Sequence, residues 1–229
     1  MVNFKKLRQM ISTAGSGNVV QKEFQVSSFI RLHLGINGNA ELIQSAEEKV
    51  VLECDDNLLD TVEVTNSGDT LYVVSGSKLS VAAYTSCTVK VYYRQLDTLV
   101  NSSNGNLTNV GTTKLSGMLT LKLQANGNTH LQLDVPAIKL TNQSNGNTTL
   151  TGRCGELEVR NQANGSLNAK ALLAGKVNLN NMANGNVEVC SLDTITIYHM
   201  GNGWVHYYGT GVLKDVKQYG TGAVKHKAD

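Results

Sequence analysis

Enzymes that cleave acidic polysaccharides gather carboxylates on one face, with a basic side chain or a metal ion beside them. Between Asn101 and Ala228 the acids of this 229-residue chain are Asp134, Glu156, Glu158, Glu188, Asp193 and Asp215. Glu156 and Glu158 alternate along one run and so share a face. Glu188 lies in another run, and no two segments repeat a pair of acids at one phase. The histidines are His33, His130, His199, His206 and His226. His199 and His206 straddle Asn202-Gly203, but a zinc site would want a third ligand and a second shell, so no metal is expected. Cys54, Cys87, Cys154 and Cys190 make no CxxC pair and read as buried thiols ahead of any disulfide. The pieces "GNG" and "GTG" lack the lysine and the strand-loop-helix setting of a phosphate loop. No catalytic residue and no cofactor is expected.

Binding chemistry is better represented. Tyr198, Trp204, Tyr207 and Tyr208 cluster around Asn202-Gly203. Aromatic side chains gather at interfaces and stack on sugar rings, so these four are the candidate contact patch. The competing reading is an aromatic-rich terminal coil that covers the end of the core, as terminal repeats must.

The elements that position these residues come from a repeat. Asn-Gly recurs at Asn104-Gly105, Asn126-Gly127, Asn145-Gly146, Asn164-Gly165, Asn184-Gly185 and Asn202-Gly203, at steps of 18–22 residues, with a degenerate Thr221-Gly222 after them. A constant period near 20 marks a solenoid, propeller or array. Apolar residues alternate five and seven places before each Asn, as in Leu140 and Ile138 or Val159 and Leu157, which is a strand with one face inward. Asn-Gly between such runs also signals an antiparallel hairpin. The amides choose between the two. Gln124, Gln143 and Gln162 share one phase, and Asn142, Asn161 and Asn181 share another. In a meander equivalent residues lie about 9.5 Å apart, whereas in a parallel coil they stack at about 4.8 Å and can bond along the axis.

The expected fold is therefore all-β: a parallel β-helix-like solenoid of about 19–20 residues per coil with Asn-Gly corners. Asn126, Gly127, Asn145, Gly146, Asn164, Gly165, Asn184 and Gly185 are the predicted structural corners, with the glycines expected at φ > 0. Residues 1–14 read as an N-terminal extension and 15–229 as one β domain. Within it, 15–100 hold non-repeating strands and 101–229 the repeat coils.

Composition agrees and excludes much else. Apolar residues are 41% and charged ones 17%, with 22 Gly and 1 Pro, which is a turn-rich β composition rather than a disordered one. A net charge of +2 makes no electrostatic case for nucleic acid. No apolar stretch approaches the ~20 residues of a transmembrane helix. Lys5, Lys6 and Arg8 begin like a secretion signal, but the 7–15-residue apolar core of such signals does not follow. Either the chain is made without a signal or it is a mature segment given a new Met.

Two stretches carry a family resemblance. "GSGNVVQKEFQVSSFIRLHLGINGNAELIQ" and "VVLECDDNLLDTVEVTNSGDTLYVVS", over Gly15 to about Ser75, resemble the opening of the bacterial "putative autotransporter adhesin head GIN domain" family, once known only as a domain of unknown function. The Gly/Asn-punctuated repeats extend the resemblance to about Gly222. It implies a β-helical or stacked-β fold in cell-envelope proteins, mostly exported and often lipid-anchored, with adhesion a name given by analogy. The reading is a non-catalytic envelope or surface module, adhesin-like or structural. A polysaccharide-active enzyme and a self-assembling β-helical scaffold are the alternatives. The expected partners are a glycan or protein surface ligand, or a second copy of the chain.

Overall fold

The computed structural model describes residues 13–76 and 81–228, apart from the side chains of Val81 and Ala82. Of the predicted extension 1–14, residues 1–12 lie outside the described residues. The first ten strands are β1 (Thr13–Ala14), β2 (Val19–Gln25), β3 (Arg31–Gly35), β4 (Asn39–Gln44), β5 (Lys49–Asp55), β6 (Val62–Ser67), β7 (Thr70–Ser75), β8 (Val81–Ala83), β9 (Cys87–Tyr93) and β10 (Thr98–Asn101). Then come β11 (Leu107–Val110), β12 (Thr113–Lys114), β13 (Leu119–Leu123), β14 (Thr129–Asn142), β15 (Thr148–Asn161), β16 (Leu167–Asn181), β17 (Val187–His199), β18 (Val205–Tyr208), β19 (Val212–Gln218) and β20 (Val224–His226).

These strands wind a β-solenoid of about seven turns with stacked parallel strands. One face runs β7, β3, β10, β13, the second halves of β14 to β17, and β19. The other runs β9, β4, β11, the first halves of β14 to β17, then β18 and β20. Strands β14 to β17 round the second corner without a break and so serve both faces. Leu121, Leu140, Val159, Leu179 and Ile197 stack in register along the core, each at most 2% exposed. Burying an aliphatic side chain is worth about 1.5–3 kcal/mol, so one such row per inward phase holds the coils together.

The predicted amide ladders form. Gln124 donates to Gln143 at 3.1 Å and Gln143 to Gln162 at 2.9 Å on the surface. Inside, Asn142 donates to Asn161 at 3.0 Å and Asn161 to Asn181 at 2.9 Å. Buried polar groups are costly unless bonded, and stacking amides on amides satisfies most of them within the column. Asn101 is the exception. Its neighbour in the next coil is Leu123, and its buried Nδ2 has no partner.

The corners differ from expectation in one respect. Positive φ among the described residues occurs at Gly17, Gly68, Gly111, Gly152 and Gly209, and at none of the Asn-Gly corners. Glycine is required there for room. A Cβ on Gly146 would fall on the carbonyl of Gly127, and the same holds for Gly165 over Gly146 and Gly185 over Gly165. The column starts with Gly38 beneath Gly105 and ends with Gly222 over Gly203. The asparagines build a third ladder beside it. Asn126 donates to Asn104 at 2.6 Å, Asn145 to Asn126 at 2.7 Å and Asn164 to Asn145 at 2.9 Å.

The start of the chain is permuted. The coil of β7 and β9 stacks outside the coil of β3 and β4, although it comes later in sequence. The chain then crosses back to lay β10 on the other side of β3. Antiparallel strands close this first end: β5 on β9, β2 on β5, and β6 on β7. A 3-10 turn at Asp56–Thr61 tucks fully buried Leu58 beneath them. Asp55 is fully buried and accepts the amides of Gly17 at 2.9 Å and Thr85 at 2.8 Å. Burial alone would raise its carboxyl, but the amides of Thr85, Gly17 and Ser86 outweigh that and hold it below the usual range.

Candidate functional site

Alternation along β15, β16 and β17 sends every second side chain outward. Two outward rows result on one face: Lys139, Glu158, Asn178, Thr196 and Asp215, and beside them Thr141, Arg160, Asn180, Tyr198 and Lys217. The central part of these rows walls a shallow trough of about 480 Å³ lined by Glu158, Arg160, Asn178, Asn180, Thr196 and Tyr198. Four of these six are exposed, and Thr196 and Tyr198 are half-buried. The Tyr198 ring forms the wall nearest the last coil. Its hydroxyl donates to the Met200 sulfur at 2.8 Å, and its ring meets Tyr219 at 5.7 Å. The trough thus offers amides, a carboxylate, a guanidinium and an aromatic ring at the ~4.8 Å repeat of stacked strands.

The four aromatic residues singled out in the sequence are not brought into one patch. Tyr198 belongs to the trough. Trp204 lies at the mouth of β18 and stacks on His206, with ring centroids 3.8 Å apart and planes 22° apart. Its backbone amide donates to Asn186 at 3.2 Å. Tyr207 packs against the core and stacks on His226 at 4.8 Å. Tyr208 is buried, donates to Glu188 at 2.9 Å, and carries Lys170 over its ring at 4.1 Å.

His199 and His206 likewise part company. His199 is fully buried at the top of the inner asparagine column, with Nδ1 3.1 Å from Asn181 Nδ2. His206 is half-buried on the outer row, in register with Glu188 and Lys225. Burial lowers its pKa first, the nearby Lys227 and Lys225 add to this, and Glu188 opposes them. Four of the carboxylates weighed for catalysis are engaged by neighbours. Tyr208 holds Glu188, Arg153 grips Asp134 through two bonds of 2.8 and 2.7 Å, and Lys139 pairs with Glu158 at 3.2 Å. Asn178 donates to Glu156 at 3.3 Å. The Arg153 guanidinium beside Asp134 holds its carboxyl below the ordinary range. Among the described residues no three of His, Cys, Asp and Glu converge as for a metal ion.

One rung escaped the sequence reading. Asn37-Gly38 heads the corner column, with Asn104 donating to Asn37 and Asn106 N–H donating to Asn39 at 2.9 Å. The signal was the triplet Asn-Gly-Asn, shared by 37–39, 104–106, 126–128, 145–147 and 184–186.

The comparisons agree with this architecture. No curated protein matches the chain. A crystal structure named as a "putative adhesin" from Bacteroides fragilis NCTC 9343 superposes with a TM-score of 0.87 at 16% identity, covering 94% of this chain and 100% of its own. A "putative lipid binding protein" from Parabacteroides distasonis ATCC 8503 gives 0.71 at 19% identity, covering 95% and 100%. A "putative adhesin" from Parabacteroides merdae ATCC 43184 gives 0.69 at 18%, covering 94% and 99%. At these identities the likeness speaks for the fold. The family model described as "Putative auto-transporter adhesin, head GIN domain" matches residues 28–211, and the chain belongs to that family.

Proposed function

We propose that the chain is a non-catalytic surface module of the cell envelope that binds a glycan through the outer trough of β15, β16 and β17. The observation that carries this reading is the trough itself. Planar polar groups of Glu158, Arg160, Asn178 and Asn180 end at an aromatic wall, Tyr198. Hydroxyl-rich rings pair with such amides and carboxylates and lie against such aromatics, and the repeat of the rows suits a polymer. Trp204, stacked on His206, is a second contact on the neighbouring face. Tyr207 and Tyr208 serve by supporting the last coils. The adhesin names of the family and its structural neighbours support an external location. No helix among the described residues is long and apolar enough to cross a membrane.

The test is a glycan array run beside a polysaccharide depolymerisation assay. Binding that falls at least tenfold in Tyr198→Ala and Arg160→Ala, without turnover, is the expected result. Turnover of a glycan at a rate lost in Glu156→Gln or Glu188→Gln would overturn the non-catalytic reading. Binding untouched by the trough variants would overturn the site.

A further inference from the structure

Cys54 and Cys87 stand directly opposite each other in the antiparallel pair of β5 and β9. Both point inward, in line with Leu52 opposite Val89 and Val50 opposite Val91. Both are free, buried thiols in this structure. Directly opposed residues of antiparallel strands have Cα atoms about 4.5–5.5 Å apart, inside the roughly 4.4–6.8 Å that a disulfide spans. The other two cysteines have no such facing. Cys154 lies between Val135 and Ala174, and Cys190 between Leu173 and Tyr208.

We propose that Cys54 and Cys87 form a disulfide that clamps the antiparallel cover of the first end onto the outermost coil. The oxidant is a small-molecule or protein disulfide. One cysteine thiolate attacks it, forming a mixed disulfide and releasing one thiol. The second cysteine thiolate attacks the mixed disulfide, closes the Cys54–Cys87 bond and releases the other thiol. Two cysteine protons go to solvent, and two are taken up by the released thiolates. The oxidant gains the two electrons that the cysteines lose. Burial pushes the Cys87 thiol up to about 12 and raises that of Cys54 as well. Thiolate is the reacting form, so the bond closes while the chain folds, once β5 meets β9 and before the core packs over the pair. Closing the loop of residues 55–86 restricts the unfolded chain, which is where such a bond stabilises.

The full chain, reduced and unfolded in denaturant, is refolded in a mixture of oxidised and reduced glutathione. Remaining thiols are alkylated and the peptides are mapped by mass. The expected result is one cross-link, Cys54 to Cys87, with Cys154 and Cys190 alkylated. Reductant should then lower the melting temperature of the oxidised protein by about 5–10 °C and leave that of Cys54→Ser unchanged. Four alkylated cysteines, or a cross-link between other positions, would overturn the proposal. A cross-link whose reduction leaves the melting temperature unmoved would overturn the clamp. Neither readout depends on what the trough binds, and wild-type mapping stands even where Cys54→Ser folds poorly.

Discussion

The two ends of the rod solve the same problem in opposite ways. A stack of parallel coils exposes unpaired backbone groups at each end, which invite pairing with other chains. At the first end the strand direction reverses. The antiparallel strands β5 and β2 extend one face, β6 extends the other, and a 3-10 turn buries Leu58. At the last end nothing among the described residues pairs with the outer edge of β19, and all seven of its residues are exposed. Protection there is chemical. Lys214, Asp215 and Lys217 line the edge, and the register steps from Leu213 opposite Ile195 to Asp215 opposite Thr196, leaving Lys214 as a bulge. Edge charges and bulges are standard means of discouraging edge-to-edge pairing. The first end is therefore part of the core, and the last is a surface.

The largest test of that contrast uses one substitution twice. Gly146→Val drives a side chain into the Gly127 backbone in mid-stack and should cost more than about 3 kcal/mol, as severe overpacking can. At ~2–4 °C per kcal/mol for a domain of this size, the melting temperature should fall by roughly 6–12 °C. Gly222→Val meets the same obstacle over Gly203, but β20 can peel away, and the cost should stay near ~1 kcal/mol. Equal losses in thermal melts would erase the distinction between body and edge.

Next in size is a pair of truncations followed by urea unfolding. Leu58→Ala under the closed end should cost about 2–4 kcal/mol. Val216→Ala, 43% exposed at the open end, should cost less than about 0.5 kcal/mol.

Asp55→Asn sharpens the contrast through pH. The native carboxyl sits below its unfolded value, so its stabilisation is fully present above the unfolded pKa, near 4, and drains away as pH falls through the native one. The variant presents an amide NH2 group to one of two donors and should be less stable at neutral pH. The difference from wild type should shrink as pH falls through the native pKa of Asp55. A gap that persists in acid would show that charge is not what Asp55 contributes.

The smallest effect on folding is expected at the open edge. Lys214→Val with Lys217→Val should change stability by no more than about 0.5 kcal/mol. Sedimentation should nevertheless reveal more association than in wild type, and a double variant that associates no more than wild type would mean the lysines do not guard the edge.

The body of the fold was legible because stacking repeats one local problem at every turn. Alternation around Leu140 and Val159 marked the inward phase, and the shared phases of Gln124, Gln143 and Gln162 marked parallel stacking. The reason for the corner glycines was not legible, since a sequence does not distinguish a glycine needed for its dihedral from one needed for room. Gly127 is the second kind and Gly111, at φ 68° with open space around it, the first. The first end was hidden because its partners are distant: Asp55 is bound from Gly17 on one side and Thr85 on the other. Among the aromatics, nearness in sequence concealed alternation. Trp204 and His206 share a side, whereas Tyr207 packs on the core. The trough needed coordinates, because its walls come from three coils.

The permuted start has a consequence in time. Rungs of the body join residues 19 apart, as in Asn145 to Asn126, but the rung from Asn104 to Asn37 spans 67. Closing the longer loop costs about 1 kcal/mol more in chain entropy. The outermost coil of β7 and β9 is covered only when β5 and β6 pair with it. Coils of the body can zip onto one another from any starting point, as in other linear arrays. The first end is thus the slower part to close, and a nascent chain carries β3 and β4 without their parallel neighbours until residues 70–110 have emerged to receive them.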